Sequence, residues 1–268
     1  MKFPIILCLL AVSTFAWSAS PEKSIQLLKD PSGKKVELQK EDLISIERLE
    51  GMFMMNAKTP GLAAMLKSNS LKHKQKAVPT LIKVMKESKY PDQNRWQATM
   101  LLAQIMGKKS APFIAKFSTH PNWMMRLASL KALLGLSQAE YLGVYSKALK
   151  DPSLIVRVQA LDNISQLKIK SLGPEVWNMM YDQSNYSGPA GNRKRTSIVR
   201  SVIRTLGDLR YEKAGRPMAK LIQKPMYQDL IEDLDYSLEK ITGEKSPNEV
   251  IQRRKFWSKM ANKNSSKI

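Results

Sequence analysis

The chain has 268 residues but one cysteine, Cys8, and two histidines, His73 and His120. Cys8 lies in the opening apolar stretch. Everything after that stretch therefore lacks a thiol for a disulfide, a thiolate metal site or a cysteine nucleophile. Two distant histidines offer little to a histidine-based metal or acid–base centre. The HExxH, P-loop and GxSxG spacings do not occur. No carboxylate pair stands apart from ordinary helix surface. These absences predict a protein that is not an enzyme and holds no cofactor or metal.

Acidic residues are scarce, with 23 Asp+Glu against 44 Lys+Arg, a formal charge of +21 at pH 7. Beyond the opening stretch, no apolar run reaches the ~20 residues that cross a bilayer. The opening itself, MKFPIILCLLAVSTFAWSAS, has Lys2 as a small positive head and an apolar core from Phe3 to Phe15. Small residues, Ala16 and Ser18, stand where a signal peptidase reads. Residues 1–18 are therefore expected to be a secretory signal peptide cut after Ser18. Export without cysteine suits a bacterial periplasm, or secretion, better than a disulfide-rich exterior. Without Lys2 the balance is 43 basic to 23 acidic residues, +20, which favours anionic partners.

What is present is a repeat. In DPSLIVRVQALDNISQLK, residues 151–168, Arg157, Ala160, Ile164 and Leu167 step by 3, 4 and 3, one face of a helix. The same frame gives Arg126, Ser129, Leu133, Leu136 and, earlier, Arg95, Ala98, Leu102, Ile105. Later it gives Val199, Val202, Leu206, Leu209, then Ile231, Leu234, Leu238, Ile241. The frames start 31, 31, 42 and 32 residues apart. An apolar stretch precedes each frame, and four of these stretches carry a proline near the start: Pro79, Pro112, Pro174 and Pro217. Proline is tolerated in a first turn, where amides have no intrahelical partner. The unit is a helix A, a turn, then a helix B. One such pair cannot bury its apolar face alone, but a stack of pairs can.

The stretch DPSLIVRVQALDNISQL resembles the HEAT-repeat pattern, in which an acidic residue opens the turn and a Val-Arg pair opens helix B. SLEKITGEKSPNEVIQRRKFW likewise resembles the end of bacterial HEAT-like arrays, with a Thr-Gly break before a capping segment. The resemblance covers 75–258 and implies an all-α fold, a right-handed α-solenoid of about five helical pairs. In the family, Asp and Arg pair between neighbouring units. Here only the third unit, with Asp151 and Arg157, has both. The equivalents are His120 with Arg126 and Lys89 with Arg95, so no continuous ladder is expected. Some HEAT-like families are enzymes (bilin lyases and alkylpurine DNA glycosylases), but no residue here carries that chemistry over.

Residues 19–39 do not fit the repeat. Their flanks, 25–29 and 35–39, either pair as a hairpin around the Asp30–Gly33 turn or stay loose. Residues 40–74 are expected to form an N-terminal helical cap, one helix from Lys40 and another from Thr59-Pro60 through Leu66. Met52, Met54 and Met55 read as packing rather than a copper site. Trp96, Trp123 and Trp177 read as core, and Trp257 as packing in the C-terminal segment. Residues 259–268 read as a disordered tail.

Two sets of binding residues follow. If the outer side of each helix B lines a concave face, the frame offers Gln97, Lys131, Gln159, Asp162, Arg204 and Tyr236. These rows are mixed and polar. They suit a protein or peptide partner better than nucleic acid, which would want a cation on nearly every unit. The second set is basic: Arg193, Lys194, Arg195, Arg200 and Arg204. It follows the surplus loop of the 42-residue interval, where Gly188, Pro189 and Gly191 exclude helix. Residues 191–226 hold ten basic and two acidic residues, whereas 227–250 hold two basic and seven acidic. The primary expectation is an exported scaffold or adaptor that recognises a protein or peptide. The alternative is a binder of an anionic envelope polymer or lipid headgroup through the basic patch at 193–224. The bland reading of that patch is that Arg200 and Arg204 meet Asp233 or Asp235 across the stack.

Overall fold

The structure is a computed structural model and describes residues 26–29, 35–38, 40–187 and 193–262. The expected signal peptide, the Asp30–Gly33 turn, Gly188, Pro189 and Gly191, and the chain beyond Asn262 lie outside the described residues.

The chain is mostly helical. Strand β1 (Gln26–Lys29) pairs antiparallel with β2 (Lys35–Leu38), with Gln26 opposite Leu38. Of the two readings of this segment, the hairpin is the one adopted. Helices α1 (Lys40–Met54) and α2 (Leu62–His73) follow. The second starts at Leu62 and runs to His73, well past the Leu66 end expected from sequence. Leu62, Leu66 and Ser70, spaced by four, keep it buried along that length.

Five A-then-B pairs come next. They are α3 (Val78–Lys86) with α4 (Asp92–Met106), α5 (Ala111–Ala115) with α6 (Trp123–Gly135), and α7 (Leu142–Ala148) with α8 (Leu154–Gln166). Then α9 (Gly173–Asn178) precedes α10 (Thr196–Leu209), and α11 (Gly215–Leu221) precedes α12 (Ile231–Thr242). Pro79, Pro112 and Pro174 occupy the second residue of α3, α5 and α9, and Pro217 lies in the first turn of α11. The surplus between α9 and α10 forms two short paired strands, β3 (Tyr186–Ser187) and β4 (Arg193–Lys194). A last helix, α13 (Val250–Asn262), extends into the segment read as a disordered tail.

Side chains in the turns hold the starts of the B helices. Asn122 caps α6 by accepting from Met124 N at 2.8 Å, and Asp151 accepts from Ser153 N at 2.8 Å ahead of α8. Three B helices end on a left-handed residue at the same frame position, Ser137, Lys168 and Arg210.

Packing follows the frame. None of the twenty quartet residues is exposed, and most are buried. The B helices contact one another in order, α4 on α6, α6 on α8, α8 on α10 and α10 on α12. Burying one large aliphatic side chain contributes about 1.5–3 kcal/mol. Each pair obtains much of that burial from its neighbours.

Two rows of polar contacts tie neighbours together. Arg126 donates to Asp151 of the next unit at 2.6 and 2.7 Å. Arg95 reaches the His120 ring at 3.1 Å, and Arg157 reaches the Ser184 carbonyl at 3.4 Å. Of these three arginines only Arg126 pairs with an aspartate of the next unit, so there is no continuous Asp–Arg ladder, although each reaches the following turn; Arg157 meets only the backbone oxygen of Asp151. The second row lies six residues after the last three frame starts. There Asn163, Thr205 and Ser237 donate to the carbonyls of Leu130, Leu161 and Ile203 on the preceding B helix. Gly207 lets α12 approach α10 closely. A Cβ there would stand 2.7 Å from Cα of Ser237.

The aromatic expectations divide. Trp257 is fully buried, and Trp96 and Trp177 pack partly buried against the core. Trp123 is 42% exposed, because the first residue of α6 stands outside the buried quartet. Met52 is buried, while Met54 and Met55 are exposed.

Candidate functional site

The outer sides of α6, α8 and α10 enclose an open cavity of about 380 Å³. Leu127, Ile155, Val158 and Leu161 give it apolar walls. Lys131, Gln159, Asp162, Ser165, Arg204 and Asp208 supply its polar groups. The helical frame explains the convergence. Lys131, Asp162 and Arg204 occupy the same position, five residues after the frame start, in three consecutive units. Aligned B helices bring that row side by side.

The Arg204 end of the cavity is held by an ordered network. Asp208 accepts from Ser165 at 2.7 Å, Tyr236 at 2.8 Å and Lys240 at 2.6 Å. Burial opposes its ionisation, but these three bonds outweigh it and hold the carboxyl below the usual range. Arg204 lies 4.3 Å from the Tyr236 ring centre, and Lys240 Nζ lies at the same distance. Lys240 also hydrogen-bonds the Tyr236 hydroxyl. Arg200 and Arg204 both donate to Asp233, at 2.9 and 2.8 Å.

The Lys131 end is different. Lys131 is exposed and makes no ion pair or hydrogen bond among the described residues. Asp162 accepts only from the carboxamides of Gln159 and Gln166, at 3.1 and 2.7 Å. One cation and one carboxylate thus face the opening without an opposite charge of their own, beside the half-exposed Ile155.

The structure brings Lys131, Gln159, Asp162 and Arg204 together and stacks Tyr236 on Arg204. Gln97 is elsewhere, bonded at 2.5 Å to the Ala63 carbonyl of α2. The basic set is dispersed and largely paired. Lys194 meets Asp229 at 2.5 Å, and Arg200 and Arg204 share Asp233. Arg193 and Arg195 are exposed with no acidic partner among the described residues. Ser165, Asp208 and Lys240 join the site although the sequence did not single them out as binding residues. Asp208 and Lys240 share one frame position, nine residues after the frame start, and that shared position is the signal that could have found them.

Among the described residues, no group of three or more His, Cys, Asp and Glu could hold a metal ion, and no helix is long and apolar enough to cross a membrane. No known family model matches the chain, and no curated protein matches it.

Proposed function

We propose that the chain is an exported scaffold or adaptor that holds a protein or peptide segment against the outer sides of its B helices. In this reading it is a right-handed α-solenoid of five HEAT-like pairs behind an N-terminal helical cap. The consecutive packing of α4, α6, α8, α10 and α12 supports the stack. The opening sequence supports a periplasmic or secreted location.

The observation that carries the function is the cavity beside Lys131 and Asp162. It offers apolar walls, hydrogen-bonding carboxamides and one unmatched charge of each sign. An extended peptide with a basic and an acidic side chain satisfies all of these at once. A polyanion does not, because Asp162, Asp208 and Asp233 stand along the same face. Mutual pairing of Lys194, Arg200 and Arg204 with aspartates further weakens the basic patch as a polyanion track.

Rigid stacked helices hold these groups in place, so a partner loses little freedom to the scaffold's own ordering. The test is affinity capture from the envelope fraction, with the wild type beside Lys131→Glu/Asp162→Lys. Both positions are surface-facing, and the net charge is unchanged. Retention of the principal partner should fall roughly tenfold, equivalent to about 1.4 kcal/mol. Equal retention by both proteins would overturn the proposal.

A further inference from the structure

The strongest unassigned surface is at the opposite end of the array from the hairpin. From Val250 onward the chain holds Arg253, Arg254, Lys255, Lys259, Lys263 and Lys267 and no acidic residue. Helix α13 divides its share of these cations between two faces. Arg253 turns inward, pairing with Glu232 at 2.6 Å and Asp235 at 3.0 Å. Trp257, one turn on, is fully buried and donates its indole N–H to Asp235 at 2.7 Å. These two anchors fix the rotation of the helix about its axis.

The face that remains outward carries Ile251, Lys255, Ser258 and Lys259, spaced by four, three and one. Ile251 is 70% exposed, and its neighbour Val250 is 43% exposed. With Gln223 and Arg254 these four line a shallow depression of about 420 Å³ that contains no carboxylate. None of Arg254, Lys255 and Lys259 forms an ion pair among the described residues. The Arg254 Nε–H is buried without any acceptor, a state that normally costs a folded protein free energy. This contrasts with Lys194, Arg200, Arg204 and Lys240, each of which has its aspartate.

We propose that this face of α13 docks on an anionic phospholipid surface. Exposed cations without counter-charges are complementary to lipid phosphates. Val250 and Ile251 supply the apolar side chains that enter the headgroup boundary, as in an interfacial amphipathic helix. The site is separate from the cavity beside Lys131 and independent of the function proposed for it. It is also separate from Arg193 and Arg195.

The experiment is sedimentation of the signal-less chain with phosphatidylcholine vesicles doped with phosphatidylglycerol. Each basic residue near an anionic surface is worth roughly fivefold in binding. Lys255→Gln/Lys259→Gln should therefore weaken binding about 25-fold. Ile251→Ser should weaken it with no change of charge. Arg193→Gln/Arg195→Gln removes the same two charges and should lose much less than the α13 pair. All four lysine and arginine positions are exposed, and circular dichroism verifies that the variants keep their helix content.

Four results would each overturn the proposal: no vesicle binding by the unaltered chain, equal binding to pure phosphatidylcholine, equal losses from the two double variants, or displacement by millimolar inorganic phosphate. The last would show a pocket for free phosphate rather than a bilayer surface.

Discussion

Arg126 and Asp151 form a two-pronged bond between consecutive units, Nε to one carboxylate oxygen at 2.6 Å and Nη2 to the other at 2.7 Å. Both side chains are largely buried, at 12% and 7% exposure. The same aspartate accepts from Ser153 N, so it fastens α8 while holding α6. The bond with Asp151 raises the Arg126 pKa further above its already high value.

Removing one member of such a pair leaves a desolvated charge behind, which is worse than losing the bond alone. Asp151→Ala is expected to destabilise the chain by about 3 kcal/mol. The check is the urea midpoint followed by circular dichroism. A double-mutant cycle with Arg126→Ala should show strong non-additivity.

His120 occupies the position of Asp151 one unit earlier and is less suited to it. Arg95 Nη2 lies 3.1 Å from Nε2, and Asn122 N–H points at Nδ1 at 3.0 Å. A neutral imidazole accepts at only one nitrogen, so two donors compete for one lone pair. Burial, then the charge of Arg95, holds the ring below its ordinary pKa of 6.5, and Asp92 opposes them only in part. The unfolded chain therefore takes up a proton that the folded one resists. Stability should decline as pH falls below about 6.5, levelling off once the folded ring also protonates. His120→Asp supplies two acceptors in the geometry of Asp151. It should raise the melting temperature at pH 6 and remove this part of the pH dependence, as scanning calorimetry at pH 5 to 8 would read.

Gly207 is the contact point of α10 with α12. A methyl group there meets Cα of Ser237 at 2.7 Å, with its Oγ at 2.7 Å and its Cβ at 2.8 Å, a short side chain rooted in the facing backbone. Gly207→Ala should cost about 2 kcal/mol despite its better helix propensity. Limited proteolysis should then cut first between α10 and α12.

The repeat was legible in the sequence because one physical fact writes it: apolar side chains on a 3.6-residue period must face a neighbour. All five quartets follow that rule. Contacts between units were less legible, because a period says nothing of the offset at which units stack. The third unit was read as the one holding both Asp151 and Arg157, but nothing in the sequence named Arg126 as the residue to which Asp151 answers. The polar row of Asn163, Thr205 and Ser237, six after the last three frame starts, stands in the sequence only as polar residues within helices. Its meaning needs the facing carbonyls. The cavity was half legible. Lys131, Gln159, Asp162 and Arg204 shared predictable positions, and a meeting of Arg200 and Arg204 with Asp233 was among the readings, but the network around Asp208 depends on distances between helices. Hairpin pairing at β1 and β2 was left open because four-residue strands carry too little alternation to decide.

Arg95 and His120 are separated by 25 residues, as are Arg126 and Asp151. An excision of residues 96–126, one whole 31-residue interval, would leave Arg95 25 residues before the present Asp151, inheriting the partner of its lost twin. A cut one residue longer or shorter would rotate the following helix by about 100° and turn its apolar side to water. Within helices the chain can therefore change only in whole steps, while odd residues, as in the 42- and 32-residue intervals, are taken up in the connections; duplication and loss of complete units are the routes by which a lineage could lengthen or shorten this surface.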